Sequence, residues 1–423
     1  MNRSCLTKTY FLLAAALVAL LPFSCSKDPA GTSGHPVEFS LDHSSTKGQT
    51  PITTLAALAA QDFSVSAWYT PEGMTFEADD AHPVAYIRNH RFGYIKASGE
   101  DNSYANHAWQ GVNRANNNSL SANPVYWPLD GTLSFFCYAP YRANAAAATP
   151  PDPDERDIVL EAPVTDDGIL SRLPGYLPGS PLIRVTPMLS AASQADFLCA
   201  PALLDVDRAD VAGEIPLDFS KHRMTQVTFA FNETGFTYPT GVLAEGQEAA
   251  IRVLGITVKG VVGSKYLYFT KTPSRVDCAW SDAVSPADPS GSDLPLADYR
   301  ILGANGELKT VAAANVPERN AGNDNHNVVN TDKGRLFLLP QTLPATAKLE
   351  VNYAIVEKHG VPLVTEIVTC DLPVASLTSW PEGKVVRYLL TLNIPERGVV
   401  SMTASEYDWE DSGYVHGEED LMY

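Results

Sequence analysis

Positive charge is scarce in this chain: 30 Lys and Arg stand against 49 Asp and Glu over 423 residues, a formal charge of −19. Phosphate recognition needs a concentrated basic surface, so the balance argues against nucleic acid as a partner. Long apolar runs are missing too, and the most apolar stretch, Phe11 to Leu21, is too short to span a bilayer comfortably. Cysteine is sparse. Beyond Cys5 and Cys25, the remaining Cys137, Cys199, Cys278 and Cys370 lie far apart without C-x-x-C spacing, so no zinc or redox motif exists. Cys137, Cys199 and Cys370 sit in apolar runs where buried thiols are common, and disulfide pairing stays open.

Catalytic signatures are lacking as well. The chain has no G-x-S-x-G elbow and no H-E-x-x-H pair, and Gly260 to Lys265 lacks the spacing of a phosphate-binding loop. Ser44-Ser45-Thr46-Lys47 has S-x-x-K spacing but stands in a polar loop without companion motifs. Asp152, Asp154 and Asp157, and likewise Asp205, Asp207 and Asp210, could line Ca²⁺ loops. Neither run has the Gly and terminal Glu of an EF loop, and solvated turns are the plainer reading. No catalytic, metal or cofactor site is assigned, and the chain reads as a non-enzyme; a scattered site would draw on loop residues such as Asp205 or His326.

What the chain has is turns and short apolar runs. It carries 31 Pro and 28 Gly at 45% hydrophobic composition with few windows of 3.6-residue periodicity, which predicts an all-β fold large enough for two cores. Arg3 and Lys8 before the Phe11 to Leu21 run predict a secretory segment. Leu21-Pro22-Phe23-Ser24-Cys25 is a loose lipobox, so lipidation at Cys25 is expected, with ordinary cleavage nearby as the alternative. Several palmitate-type chains on one Cys would hold the protein firmly on a membrane. Residues 25–35, rich in Gly, Ser, Thr and Pro, would be a tether. The last 18 residues, Glu406 to Tyr423, hold seven acids and no Lys or Arg and read as a solvated tail.

The most informative stretch is Val125 to Tyr141, VYWPLDGTLSFFCYAPY. The Asp130-Gly131 turn feeds a strand in which Leu133, Phe135 and Cys137 face one way and Phe136 and Tyr138 the other, so both faces seek burial. Upstream, Val37 to Leu41 and Phe63 to Tyr69 alternate as strands, Leu55 to Ala60 is helix-compatible, and Ala85 to Ile87 and Gly93 to Ile95 read as two short strands. Trp109 falls in a polar loop, Arg142 to Arg184 is loop-like and Asp205 to Glu214 is a plausible linker. Downstream, Val227, Phe229 and Phe231 share a face, as do Leu254, Ile256 and Val258, then Leu349, Val351, Tyr353 and Ile355, then Val386, Tyr388, Leu390 and Leu392.

Tyr126-Trp127-Pro128 followed by Leu133-x-Phe135-Phe136-x-Tyr138-Ala139-Pro140 resembles the signature of the fimbrillin-like proteins of Bacteroidetes. Asp196 to Ala200, Leu217 to Phe229, Trp380 to Leu390 and Tyr407-Asp408-Trp409 resemble further family elements in the same order. The resemblance implies two tandem Greek-key, transthyretin-like β-sandwich domains after a lipoprotein signal peptide. The expected divisions are 1–24 signal peptide, 25–35 tether, 36–210 first sandwich, 211–410 second sandwich and 411–423 acidic tail.

It also implies a subunit of cell-surface fimbriae anchored at the outer membrane, with other subunits as partners through strand exchange. Val37, Glu38, Phe39, Ser40 and Leu41 would be the removable strand, released by cleavage after Lys47. Val399, Val400, Met402 and Ala404 would line the donor strand, unless that segment completes its own domain. The alternative is a monomeric surface lipoprotein binding a glycan or a host or bacterial surface ligand. Trp109, Trp127, Trp280 and Trp409 are the candidate sugar-stacking residues, with Trp280 expected to be exposed. His222 is expected to donate to a backbone carbonyl at the rim of the second sandwich.

Overall fold

The computed structural model describes residues 32–42, 55–78, 83–95, 108–115, 118–143, 145–146, 158–161, 163, 173–211, 213–232, 249–281, 295–302, 309–312, 335–357, 362–393 and 398–408. Strands dominate, and the one α-helix among these residues is Leu55–Gln61, where the Ala-rich run places Leu58 in the core.

The strand Thr132–Ala139 pairs with Phe63–Thr70 from Thr132 to Tyr138 and buries both faces, as its two apolar sets require. Leu133, Phe135 and Cys137 enter one core, and Phe136 and Tyr138 enter another. It belongs to a nine-stranded sheet whose main path runs Leu198–Cys199, Thr132–Ala139, Phe63–Thr70, Val84–Tyr94, Trp109–Arg114, Glu38–Asp42 and Ile215–Asp218. Glu38–Asp42 stands four strand steps from Thr132–Ala139, which would separate them by roughly 19 Å in a flat sheet. The Phe39 and Phe135 ring centroids are 5.4 Å apart, so the sheet curls around on itself and encloses the first core.

A four-stranded sheet made of Ile158–Glu161, Leu182–Val185, Lys265–Lys271 and Val276–Trp280 covers the Phe136 side of the curled sheet. Its first two strands precede residue 210 and its last two follow it, so residues from both sides of the expected division share one sheet. The second sandwich packs the sheet of Arg335–Leu338, Thr225–Asn232, Lys384–Asn393 and Gly398–Asp408 on a five-stranded sheet led by Ala249–Val262 and Lys348–Glu357. Val227, Phe229, Leu349, Val351, Tyr353, Val386, Tyr388 and Leu390 form its core, as their alternation predicts.

Several local readings change. Ala85 to Ile87 and Gly93-Tyr94 belong to one strand, Val84–Tyr94, and Ile95 follows it. Its polar middle conceals this because Asn89, at φ 47°, is buried: Ser64 and Tyr138 hydroxyls donate to its Oδ1 and its amide donates to Arg142 O. Trp109 opens the strand Trp109–Arg114 and is fully buried, rather than lying in a loop. The stretch Arg142 to Arg184 contributes two strands, Ile158–Glu161 and Leu182–Val185. Leu254 does not share a face with Ile256 and Val258, because the pairing register shifts between Val253 and Gly255 and turns Leu254 away from the core that Val253 enters.

Gly111 marks the tightest approach in the curled sheet. A Cβ there would stand 2.2 Å from Asn123 O, a backbone atom that His90 Nε2 also meets at 2.9 Å. Gly111→Ala is expected to cost about 1–3 kcal/mol through overpacking, read as a lower urea midpoint with an unchanged m-value.

Candidate functional site

The first strand of the curled sheet, Glu38–Asp42, is the site that its position singles out. Phe39 and Leu41 point inward and Glu38 and Ser40 are half-buried, the alternation a one-sided strand needs. Phe39 is fully buried and meets Phe63, Phe92 and Phe135 edge-on at 5.9, 5.2 and 5.4 Å. On one side the strand pairs with Trp109–Arg114 at only two positions, Glu38 with Gln110 and Phe39 with Trp109. On the other it runs parallel to Ile215–Asp218, with four paired positions from Phe39↔Ile215 to Asp42↔Asp218. The parallel partner carries its own inward residues, Ile215 and Leu217, and Phe219 beyond it meets Phe63 edge-on.

Two features follow from this placement. Nothing else in the described fold depends on chain continuity through Glu38–Asp42 except the short pairing of Thr32–Pro36 with Tyr126–Pro128 just upstream. Loss of the strand would leave backbone donors and acceptors of two neighbours unpaired and open a slot floored by aromatic rings. Burial raises the Glu38 carboxyl pKa above its ordinary value, and Glu214 beside it adds to the rise. Val37, expected within the strand, instead donates its N–H to Val125 O just before it. Lys47 and Cys25 lie outside the described residues.

The strand Gly398–Asp408 occupies the edge of the second sandwich, antiparallel to Lys384–Asn393. Met402 and Ala404 are half-buried against that core while Thr403 and Ser405 face outward, so in the single chain this strand completes its own sheet. Its outer edge has no strand partner among the described residues. Val399 and Val400 lie within the strand.

Other candidate residues serve packing and local structure. Trp127 is 3% exposed and packs on Phe135. Trp280, expected to be exposed, ends the strand Val276–Trp280, lies half-buried against Phe197 and donates its indole N–H to Arg223 O at 2.8 Å. Trp409 is outside the described residues. His222 Nδ1 lies 2.7 Å from Asp196 Oδ2, a carboxylate partner that its motif does not disclose. Asp205 accepts from Phe76 N and Asp207 from Ala209 N, each at 2.8 Å, so these acids organise backbone. Asp152, Asp154, Asp157 and His326 lie outside the described residues.

A buried ionic knot joins the sheets. The Arg223 guanidinium is fully buried and donates to Asp277 Oδ1 at 2.6 Å, Glu382 Oε1 at 2.9 Å, Cys199 O at 3.1 Å and Cys278 O at 3.3 Å. Burial works to raise the Asp277 carboxyl pKa, but hydrogen bonding and charge from Arg223 outweigh it and bring it down to about 2. Sequence reading missed this residue because its four partners are scattered along the chain.

Comparison with known proteins matches most of the chain. A family model described as Fimbrillin-like matches residues 70–409. The chain superposes on a fimbrial protein of Bacteroides vulgatus with TM-score 0.53 at 16% identity, covering 88% of this chain and 99% of that one. A candidate cell adhesion protein of Bacteroides ovatus gives TM-score 0.42 at 17% identity over 88% of this chain and 97% of that one. One from Bacteroides uniformis gives 0.39 at 11% over 90% and 100%. No curated protein matches the chain.

Proposed function

Because the chain belongs to the fimbrillin-like family, we propose that it is a structural subunit or adhesin of cell-surface fimbriae, assembled by protease-triggered exchange of a β-strand between subunits. One observation carries this reading. The first strand of the curled sheet, Glu38–Asp42, fills an aromatic slot between two neighbours, and a single cut between it and the helix Leu55–Gln61 would free it with the loss of only one further pairing, that of Thr32–Pro36 with Tyr126–Pro128. The cut is proposed after Lys47. An incoming strand from a neighbour would restore the lost backbone pairing and bury the slot again.

The donor would be the terminal strand Gly398–Asp408, presenting Val399, Val400, Met402 and Ala404, after leaving the edge it holds in the single chain. Lipidation at Cys25 would hold the precursor at the outer membrane before assembly. The proposed divisions 36–210 and 211–410 would act as one interlocked unit, since Ile215–Asp218 pairs into the curled sheet and the four-stranded sheet draws strands from both. Of the aromatic residues that would serve the monomeric binding alternative, Trp109 and Trp127 are buried and Trp280 is half-buried with its indole N–H on Arg223 O.

Limited digestion of the purified chain with a Lys/Arg-specific protease, followed by N-terminal sequencing and gel electrophoresis without boiling, tests the proposal. A new N-terminus at Gly48 together with SDS-resistant oligomers is expected, and Lys47→Gln should abolish both. A chain that resists cleavage at Lys47, or is cut there and stays monomeric, overturns the mechanism.

A further inference from the structure

Folding brings together two cysteines that lie 79 residues apart in the chain: the Sγ atoms of Cys199 and Cys278 are 3.0 Å from one another. Cys199 ends the strand Leu198–Cys199 at the margin of the curled sheet, and Cys278 lies in Val276–Trp280 at the margin of the sheet that covers it. Both are buried in the core between those sheets.

Neither of the other thiols competes. Cys137 points into the opposite core, among Phe39, Phe63 and Phe135. Cys370 packs against the second sandwich. The backbones carrying the pair are fixed as well, since Arg223 donates to the carbonyl of each cysteine and Ala202 N donates to Val276 O at 3.0 Å just beside them. A disulfide needs a sulfur separation of about 2.05 Å, so the side chains must close by only about 1 Å.

We propose that Cys199 and Cys278 form a disulfide in the exported chain, stapling the curled sheet to the sheet that covers it. The inference rests on the cell-surface reading for its compartment, because disulfides persist where the environment is oxidising. The oxidant is a protein or small-molecule disulfide. A thiolate of one cysteine attacks it and expels one of its sulfurs as thiolate. The second cysteine then attacks the mixed disulfide and expels the other. The chain loses two protons and two electrons, and the oxidant's disulfide becomes two thiols. Burial raises the Cys199 thiol well above its ordinary value and keeps it protonated in the folded chain. The bond therefore forms during folding, before the sheets close over the pair.

The full chain is refolded in a glutathione redox buffer, alkylated in denaturant and mapped without reduction by mass spectrometry. The expected map contains one linked peptide pair holding Cys199 and Cys278, with Cys137 and Cys370 alkylated. The oxidised chain should melt about 5 °C above the reduced one. Cys278→Ala should remove both the link and that difference, and chain recovered from intact cells should carry the same link. Alkylation of all four cysteines, a link through Cys137, or free Cys199 and Cys278 in chain from cells overturns the proposal. The refolding result is independent of strand exchange, so failure here and failure of the oligomer ladder are told apart.

Discussion

Phe39→Ala is expected to lower the stability of the curled-sheet domain by about 3–5 kcal/mol, seen as a large drop in the urea midpoint. The ring is fully buried, and its three edge-on contacts to Phe63, Phe92 and Phe135 each add to what area alone contributes. Truncation would leave a cavity bounded by those rings and by the sheet backbone, with little freedom to collapse. Fluorescence of Trp109, fully buried beside Phe63, gives a local readout. Ser40→Ala, at a half-buried position on the other face of the same strand, should change stability by less than about 0.5 kcal/mol. In chain cut after Lys47 the Ala variant should lose its first strand sooner than wild type, because the same ring that stabilises the intact domain retains the cut strand. A loss below about 1 kcal/mol would mean that Phe39 does not anchor the strand, and the slot would then have no deep pocket for a donor to fill.

How far the sequence discloses this site follows from how local each signal is. The two-faced run Leu133 to Tyr138 is legible because alternation and turn residues act over a few positions, and the structure seats each side chain on the expected face. The same rule finds Phe39 and Leu41 but not what they touch. The partner Ile215–Asp218 is remote in sequence, and its parallel pairing leaves no turn signal between the strands. Asn89 splits a strand in the reading because a polar residue ordinarily marks a surface, and only its buried hydrogen bonds to Ser64, Tyr138 and Arg142 O reverse that inference. Leu254 fails for a different reason, since one bulge shifts the two-residue period. Arg223 and the cysteine pair are illegible for the reason the parallel partner is, because their chemistry lies in contacts between distant segments.

Arg223→Met is expected to destabilise the chain by about 3–5 kcal/mol at neutral pH, since it strips the cation from a buried set of acceptors while keeping the volume. Asp277, whose side chain is 15% exposed, and Glu382 would lose their strongest partner, and the carbonyls of Cys199 and Cys278 would lose a donor. Arg275, 2.9 Å from the other Asp277 oxygen, and Lys221 remain nearby but are half-exposed and compensate weakly. The pH dependence separates this from a packing defect. The folded Asp277 carboxyl titrates at about 2, below its ordinary 3.8, so its contribution is present above pH 4 and is lost as the pH falls toward 2. That contribution amounts to about 2 kcal/mol. Urea midpoints for wild type and Arg223→Met should therefore converge between pH 5 and 2, with wild type falling more steeply. A gap that stays constant across that range would show that Asp277 draws nothing from Arg223, and the knot would then hold the sheets together by shape rather than by charge.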